Sequence, residues 1–149
     1  MSLLEAVEHH RAGRLAEALP LYEAVLQAEP DNADAWHLLG NAVFQLGDAP
    51  LAVQLVGKAT ALVVNNPVYL LSLGMVQRGA GDLAASLGAY AAVLTLEPDN
   101  ITALYYVGAA EESAGHKAEA RKLFTALLAK MPPDQPERAD IQARIDALK

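Results

Sequence analysis

Glycine recurs at Gly13, Gly47, Gly81 and Gly115, and again at Gly40, Gly74 and Gly108, each time at an interval of 34 residues. Other columns keep the same interval. Ala18, Ala52, Ser86 and Ala120 are small, whereas Tyr22, Val56, Tyr90 and Phe124 are mostly bulky. Pro30, Pro98 and Pro132 close three of the four units, with Val64 in the remaining place. The stretches AEPDNADAWHLLG (28–40) and LEPDNITALYYVG (96–108) are two copies of one sentence, and LVVNNPVYLLSLG (62–74) is a drifted third. A repeat of this length implies stacked supersecondary units, each burying its apolar face against the next, rather than a single enclosed core.

Each unit reads as two helices. In the second, Ala33–Leu46 carries apolar residues near i, i+3, i+4 and i+7, Gly47-Asp48 interrupts, and Pro50–Leu62 continues. Gly47 suits the left-handed residue that ends a helix. Asp48 suits the N-cap of the next, and Pro50 falls in the first turn, where a missing N–H costs little. Gly81-Asp82 repeats this grammar, and Asn32, Asn66 and Asn100 offer further helix starts. The apolar fraction of 53% is rich in Ala, and aromatics are only 5%. That composition favours closely packed helices over a β-sandwich. Gly40, Gly74 and Gly108 are expected to face Ala52, Ser86 and Ala120 where paired helices approach, and the bulky column is expected to fill the layer between neighbours. Pro20 falls inside a second helix, so it either kinks that helix or delays its start.

The pattern resembles the tetratricopeptide repeat. Trp36, Leu39, Gly40, Ala52 and Ala59 carry the resemblance in the second unit; Leu73, Gly74, Gly81, Tyr90 and Pro98 in the third; Gly108, Ala120, Phe124 and Pro132 in the fourth. The first unit matches through Gly13, Ala18, Tyr22 and Pro30. The resemblance implies an all-α, right-handed α-solenoid of antiparallel helix pairs, a single domain over 1–149. Its units run approximately 1–32, 33–66, 67–100 and 101–134, and a capping helix follows over 135–149. Glu5 and His9 stand where bulky core residues are usual, which fits a terminal unit with a wet outer face. Ser2 and Glu5 can form a capping box. In the tail, Asp134 and Glu137 are a candidate capping pair, Ile141, Ile145 and Leu148 line one face, and Asp140 and Arg144 are expected to pair on the other.

The resemblance also implies that first helices line a concave groove. The stripe they would present is Asp34, His37, Leu38, Asn41, Phe44 and Gln45; then Val68, Leu71, Ser72, Met75 and Arg78; then Thr102, Tyr105, Tyr106, Ala109 and Glu112. An amphipathic helix or extended peptide of a partner protein is the natural ligand for so mixed a face, with Asn41, Met75, Arg78 and Tyr105 foremost. Family members that clamp a C-terminal carboxylate use Lys and Asn, then Asn, then Lys and Arg. The matching positions here hold His37 and Asn41, Ser72, and Thr102 and Tyr106, so only Asn41 agrees and that ligand is not expected.

No enzyme is read here and no cofactor or metal is expected. The chain has no Cys, which removes thiol catalysis and zinc–thiolate sites, and no metalloprotease, nucleophile-elbow or phosphate-loop motif occurs. His9 and His10 are adjacent and diverge on a helix. A metal shared by His10 and His37 is conceivable, with ordinary polar surface the preferred reading. Glu111 and Glu112 also diverge. A net charge of −7 argues against nucleic acid, and no apolar run is long enough for membrane insertion. Without a secretory signal the cytoplasm is the default, with the periplasm or a larger exported protein still open. The leading function is a non-catalytic adaptor or assembly scaffold, and self-association is open. The alternatives are the recruiting portion of a larger enzyme, such as a glycosyltransferase, or a maturation factor of the cytochrome c type, whose tails the segment PPDQPERADIQARIDAL faintly resembles.

Overall fold

The computed structural model describes residues 2–149. Among them lie nine helices and no strand: α1 (Leu3–Arg11), α2 (Leu15–Ala28), α3 (Ala33–Gln45), α4 (Ala49–Leu62), α5 (Pro67–Gly79), α6 (Leu83–Leu96), α7 (Ile101–Ser113), α8 (Lys117–Lys130) and α9 (Arg138–Ala147). The period survives to the residue: α2, α4, α6 and α8 begin at 15, 49, 83 and 117. They group into two compact units, Met1–Ser86 and Leu87–Lys149.

The elbows explain the invariant glycine column. Gly13, Gly47, Gly81 and Gly115 have φ of 79°, 96°, 85° and 82°. After α3, the Gly47 N–H donates to the Phe44 carbonyl at 2.9 Å and the Asp48 N–H to the Val43 carbonyl at 3.2 Å. These are the two bonds of a Schellman motif, which needs a left-handed residue between them. The other three elbows repeat both bonds. Asp48 then works twice, because its carboxylate caps the Leu51 N–H of α4 at 3.1 Å. Asp82 caps Ala85 in the same way.

Between pairs, the recurring EPDN is a folding instruction. The Asn32 side chain accepts from the Ala35 N–H at 3.0 Å and donates to Glu29 at 2.8 Å. Asn100 does the same with Ala103 and Glu97. Asn66 keeps the cap, but Val63 replaces the Glu, Asn65 turns to φ 62°, and Val64 is left 71% exposed.

In the first unit, Ala6, Ala18, Tyr22, Leu39, Val43, Ala52, Val56 and Val76 are core. In the second, Leu104, Ala120, Phe124 and Leu127 join Ile141, Ile145 and Leu148 of the tail. The tail helix thus covers α8 with the face expected of it.

Four expectations need correction. An added Cβ at Gly40 would lie 2.5 Å from Val56 Cγ2, and at Gly108 2.9 Å from the Phe124 ring. The nearest side chains over these glycines are therefore of the bulky column, not Ala52 or Ala120; the gap a glycine leaves is filled by its own partner helix. Ser86 does reach Gly74, donating to its carbonyl at 2.9 Å. Pro20 does not delay α2; both it and Ala16, whose carbonyl loses a donor, are exposed to water. Glu137 occupies the N-cap of α9 with no side-chain bond, and Asp134 does not cap it. Arg144 pairs with Glu112 at 3.2 Å, not with Asp140. Ser2 accepts from the Glu5 N–H at 3.3 Å, which is one of the two bonds of the expected capping box.

Candidate functional site

In the first unit, α3 and α5 run side by side and are stitched by polar side chains. His37 Nε2 lies 2.6 Å from Ser72 Oγ and 3.2 Å from Asn41 Nδ2. The Tyr69 hydroxyl donates to Asp34. The His37 ring lies against the Tyr69 ring, centroids 5.0 Å apart. Each inter-helix bridge spans 35 residues, one more than the period, and so does His10 to Gln45 at 3.1 Å, joining α1 to α3.

Burial sets the protonation of this cluster. His37 is only 8% exposed, which corrects its reading as ordinary polar surface. Burial holds its pKa below the ordinary 6.5, against an opposing pull from the Asp34 carboxylate. Facing an amide donor, Nε2 is the unprotonated acceptor and Nδ1 carries the proton. The Tyr69 hydroxyl is pushed up to about 12, first by burial and then by its bond to Asp34. Because the unfolded chain takes up a proton at 6.5 that folded His37 resists, its contribution to stability is full above that pH. It falls as pH drops through 6.5 towards the lowered folded value. Urea midpoints at pH 7.5 and 5.5 are expected to differ in that direction, and His37→Gln is expected to shrink the difference; an unchanged difference would place the titration elsewhere.

The remaining first-unit stripe is graded. Leu71 is half-buried, Met75 is 48% exposed, and Arg78 is exposed. Phe44 is half-buried, and a Cβ added at Gly79 would fall on its ring. Leu38 packs against the core. His10 is bonded to Tyr22 at 2.8 Å and to Gln45, so it does not share a site with His37. Among the described residues no group of three His, Asp or Glu could hold a metal ion.

In the second unit, Tyr105 is 37% exposed on α7. Tyr106 meets it edge-on at 5.1 Å and stacks on Tyr90 at 5.1 Å and 12°. Arg144 of α9 lies 5.6 Å over the Tyr105 ring while binding Glu112. Glu111 instead holds His116 at 2.7 Å, so the adjacent carboxylates do diverge to separate partners. An open cavity of 680 Å³ lies between α7 and α9, lined by Thr102, Tyr105, Tyr106, Asp140 and Arg144 among others.

Reading each helix face alone missed Tyr69 and the α9 wall. The 35-residue offset was the available signal for Tyr69, since it places Asp34 opposite Tyr69 as it places His37 opposite Ser72. Nothing in the stripe pointed to α9.

The family model described as the tetratricopeptide repeat domain of cytochrome c-type biogenesis protein H matches residues 7–138. The cytochrome c-type biogenesis protein CycH of Bradyrhizobium diazoefficiens is 28% identical over 137 residues, which is 90% of this chain and 37% of that protein. An Arabidopsis thaliana CTR9 homolog is 32% identical over 113 residues, 74% of this chain and 10% of that one. The chain therefore spans well under half the length of these relatives. Among solved structures, YrrB, a repeat protein with an unusual peptide-binding site, superimposes with a TM-score of 0.81 at 20% identity, covering 96% of this chain and 72% of that one. MamA gives 0.77 at 18%, covering 96% and 81%. A Thermobaculum terrenum O-GlcNAc transferase gives 0.72 at 27%, covering 84% and 24%. The fold is an all-α solenoid of the kind that serves as a protein-interaction scaffold. Among the described residues no helix is long and apolar enough to cross a membrane.

Proposed function

The chain belongs to the tetratricopeptide repeat family of cytochrome c-type biogenesis protein H, and on that premise we propose that it works by binding, holding a segment of a partner polypeptide during cytochrome c assembly. The faces that do this are α3 with α5 in the first unit and α7 in the second. The observation that carries the reading is that Met75 and Tyr105 stay 48% and 37% exposed, while several polar residues beside them are bonded to neighbouring helices. An adaptable thioether and a rigid ring with a polar tip are suited to gripping a peptide. On α3, Asn41 has its amide turned to His37, so it contributes through its remaining oxygen. In this reading the chain works wherever the partner matures, and the cytoplasmic default carries no weight.

The transferase alternative has one observation in favour, the 27% likeness over a quarter of that enzyme. The family model spans most of this chain and favours cytochrome assembly.

Haem-free cytochrome c polypeptide on a solid support is the probe. Met75→Ala with Tyr105→Ala is expected to weaken its retention about tenfold, the effect of removing moderate interface anchors. Met75→Ala alone should hardly move thermal melting, whereas Tyr105→Ala also gives up ring contacts with Tyr106 and Arg144, so retention is compared well below the melting temperature of both variants. Unchanged retention would place the binding face elsewhere.

A further inference from the structure

The cavity between α7 and α9 has an apolar floor and an unbalanced rim. Leu127 of α8, Met131 after it and Ile141 of α9, all buried, supply the floor, and Ile101 of α7 stands exposed on the lining. Glu137 and Asp140 lie on the lining where α9 starts, both exposed. Neither carboxylate has an ion-pair or hydrogen-bond partner among the described residues. Among the described residues Arg144 is the one cation on the lining, and it is already committed to Glu112 at 3.2 Å. Arg138, the other cation of α9, turns instead to the end of α8, donating to the carbonyls of Leu128 and Met131 at 2.7 and 2.8 Å.

We propose that this cavity is a subsite for an apolar side chain flanked by Lys or Arg on a helical segment of the partner. The proposal rests on the binding-module reading and names the chemistry that the α7 face selects. A volume of 680 Å³ is in the range that encloses several side-chain groups. An apolar anchor leaves water against the floor, and a neighbouring cation meets the two uncompensated carboxylates at the rim. An acidic neighbour meets the same carboxylates with like charge, so the rim rejects as well as attracts. The occupant is thus a basic amphipathic helix, and acidic segments are selected against.

The test uses the intact chain and three labelled Ala-based peptides of about 16 residues, four helical turns, capped at both ends. One carries a Leu stripe flanked by Lys, the second has Glu for each Lys, and the third has Ala for each Leu. Fluorescence anisotropy is expected to show the Lys–Leu peptide binding about tenfold tighter than either control at low salt, with the margin over the Glu peptide shrinking as salt rises. Glu137→Gln with Asp140→Asn should remove most of the preference for Lys over Glu, and melting should not change. Ala143→Trp, an exposed position on the lining, should block the Lys–Leu peptide. Equal affinity for the Lys and Glu peptides, or indifference to Ala143→Trp, overturns the proposal. If that happens while Met75→Ala and Tyr105→Ala still weaken cytochrome retention, the subsite alone is wrong. If those two variants also have no effect, the assignment of the binding face to Met75 and Tyr105 falls with it.

Discussion

Truncating Phe124 to Ala is expected to lower the stability of the second unit by about 3–5 kcal/mol, the range for removing a large buried aromatic. Phe124 is 0% exposed. Its ring covers Gly108 on α7, sits in one cluster with Leu127, Ile141 and Ile145, and carries the Arg144 guanidinium at 5.2 Å. Deleting it opens a void that two helices and the tail share. In a repeat protein such losses stay near their origin, so amides of α7, α8 and α9 should lose hydrogen-exchange protection well before those of α3 and α4. A second substitution sharpens the test. Gly108→Ala alone should destabilise, because its Cβ would sit 2.9–3.3 Å from ring carbons of Phe124. With Phe124 already truncated, the same change should stabilise by up to about 1 kcal/mol through helix propensity. Urea titration of the four proteins measures both. A Phe124→Ala loss under about 1 kcal/mol, or the same sign for Gly108→Ala in both backgrounds, would remove this account of the second-unit core.

Much of the fold was legible because its rules are local. A left-handed glycine followed by Asp, and Glu-Pro-Asp-Asn ahead of an apolar run, state a helix end and a helix start within four residues. Those elements lie where the sequence placed them. The facing of Gly40 and Gly108 was not legible. Spacing along one chain says that two columns are in step, but not whether the small or the bulky member of the second helix sits over the first. Arg144 was misread for a similar reason. Asp140 is a helical turn away and looks like a partner, yet Glu112 of α7 competes from another helix and wins. The candidate site divides the same way. Exposed Met75 and Tyr105 could be listed from helical phase alone. The buried condition of His37 required knowing that α5 brings Ser72 and Tyr69 across it.

Gly40→Leu is expected to cost about 3 kcal/mol, the upper part of the range for overpacking a closed core. A Cβ at this site meets Val56 Cγ2 at 2.5 Å, the Val56 backbone nitrogen at 3.1 Å and Leu55 Cβ at 3.3 Å. Val56 is fully buried and β-branched, so its side chain has few rotamers to escape into. The backbone contact can be relieved only by parting α3 from α4, which exposes Leu39 and Val43 along with it. Gly57 supplies the contrast. It also lies inside a helix, but among the described residues nothing stands within 4 Å of its would-be Cβ. Gly57→Ala should therefore stabilise by up to about 1 kcal/mol, by propensity alone. The shift in urea midpoint should thus have opposite sign at two helical glycines of one hairpin. A neutral Gly40→Leu would mean that α3 and α4 are looser than their geometry. The glycine at 40, 74 and 108 would then reflect something other than close approach, and the 34-residue period would lose one of its two physical causes.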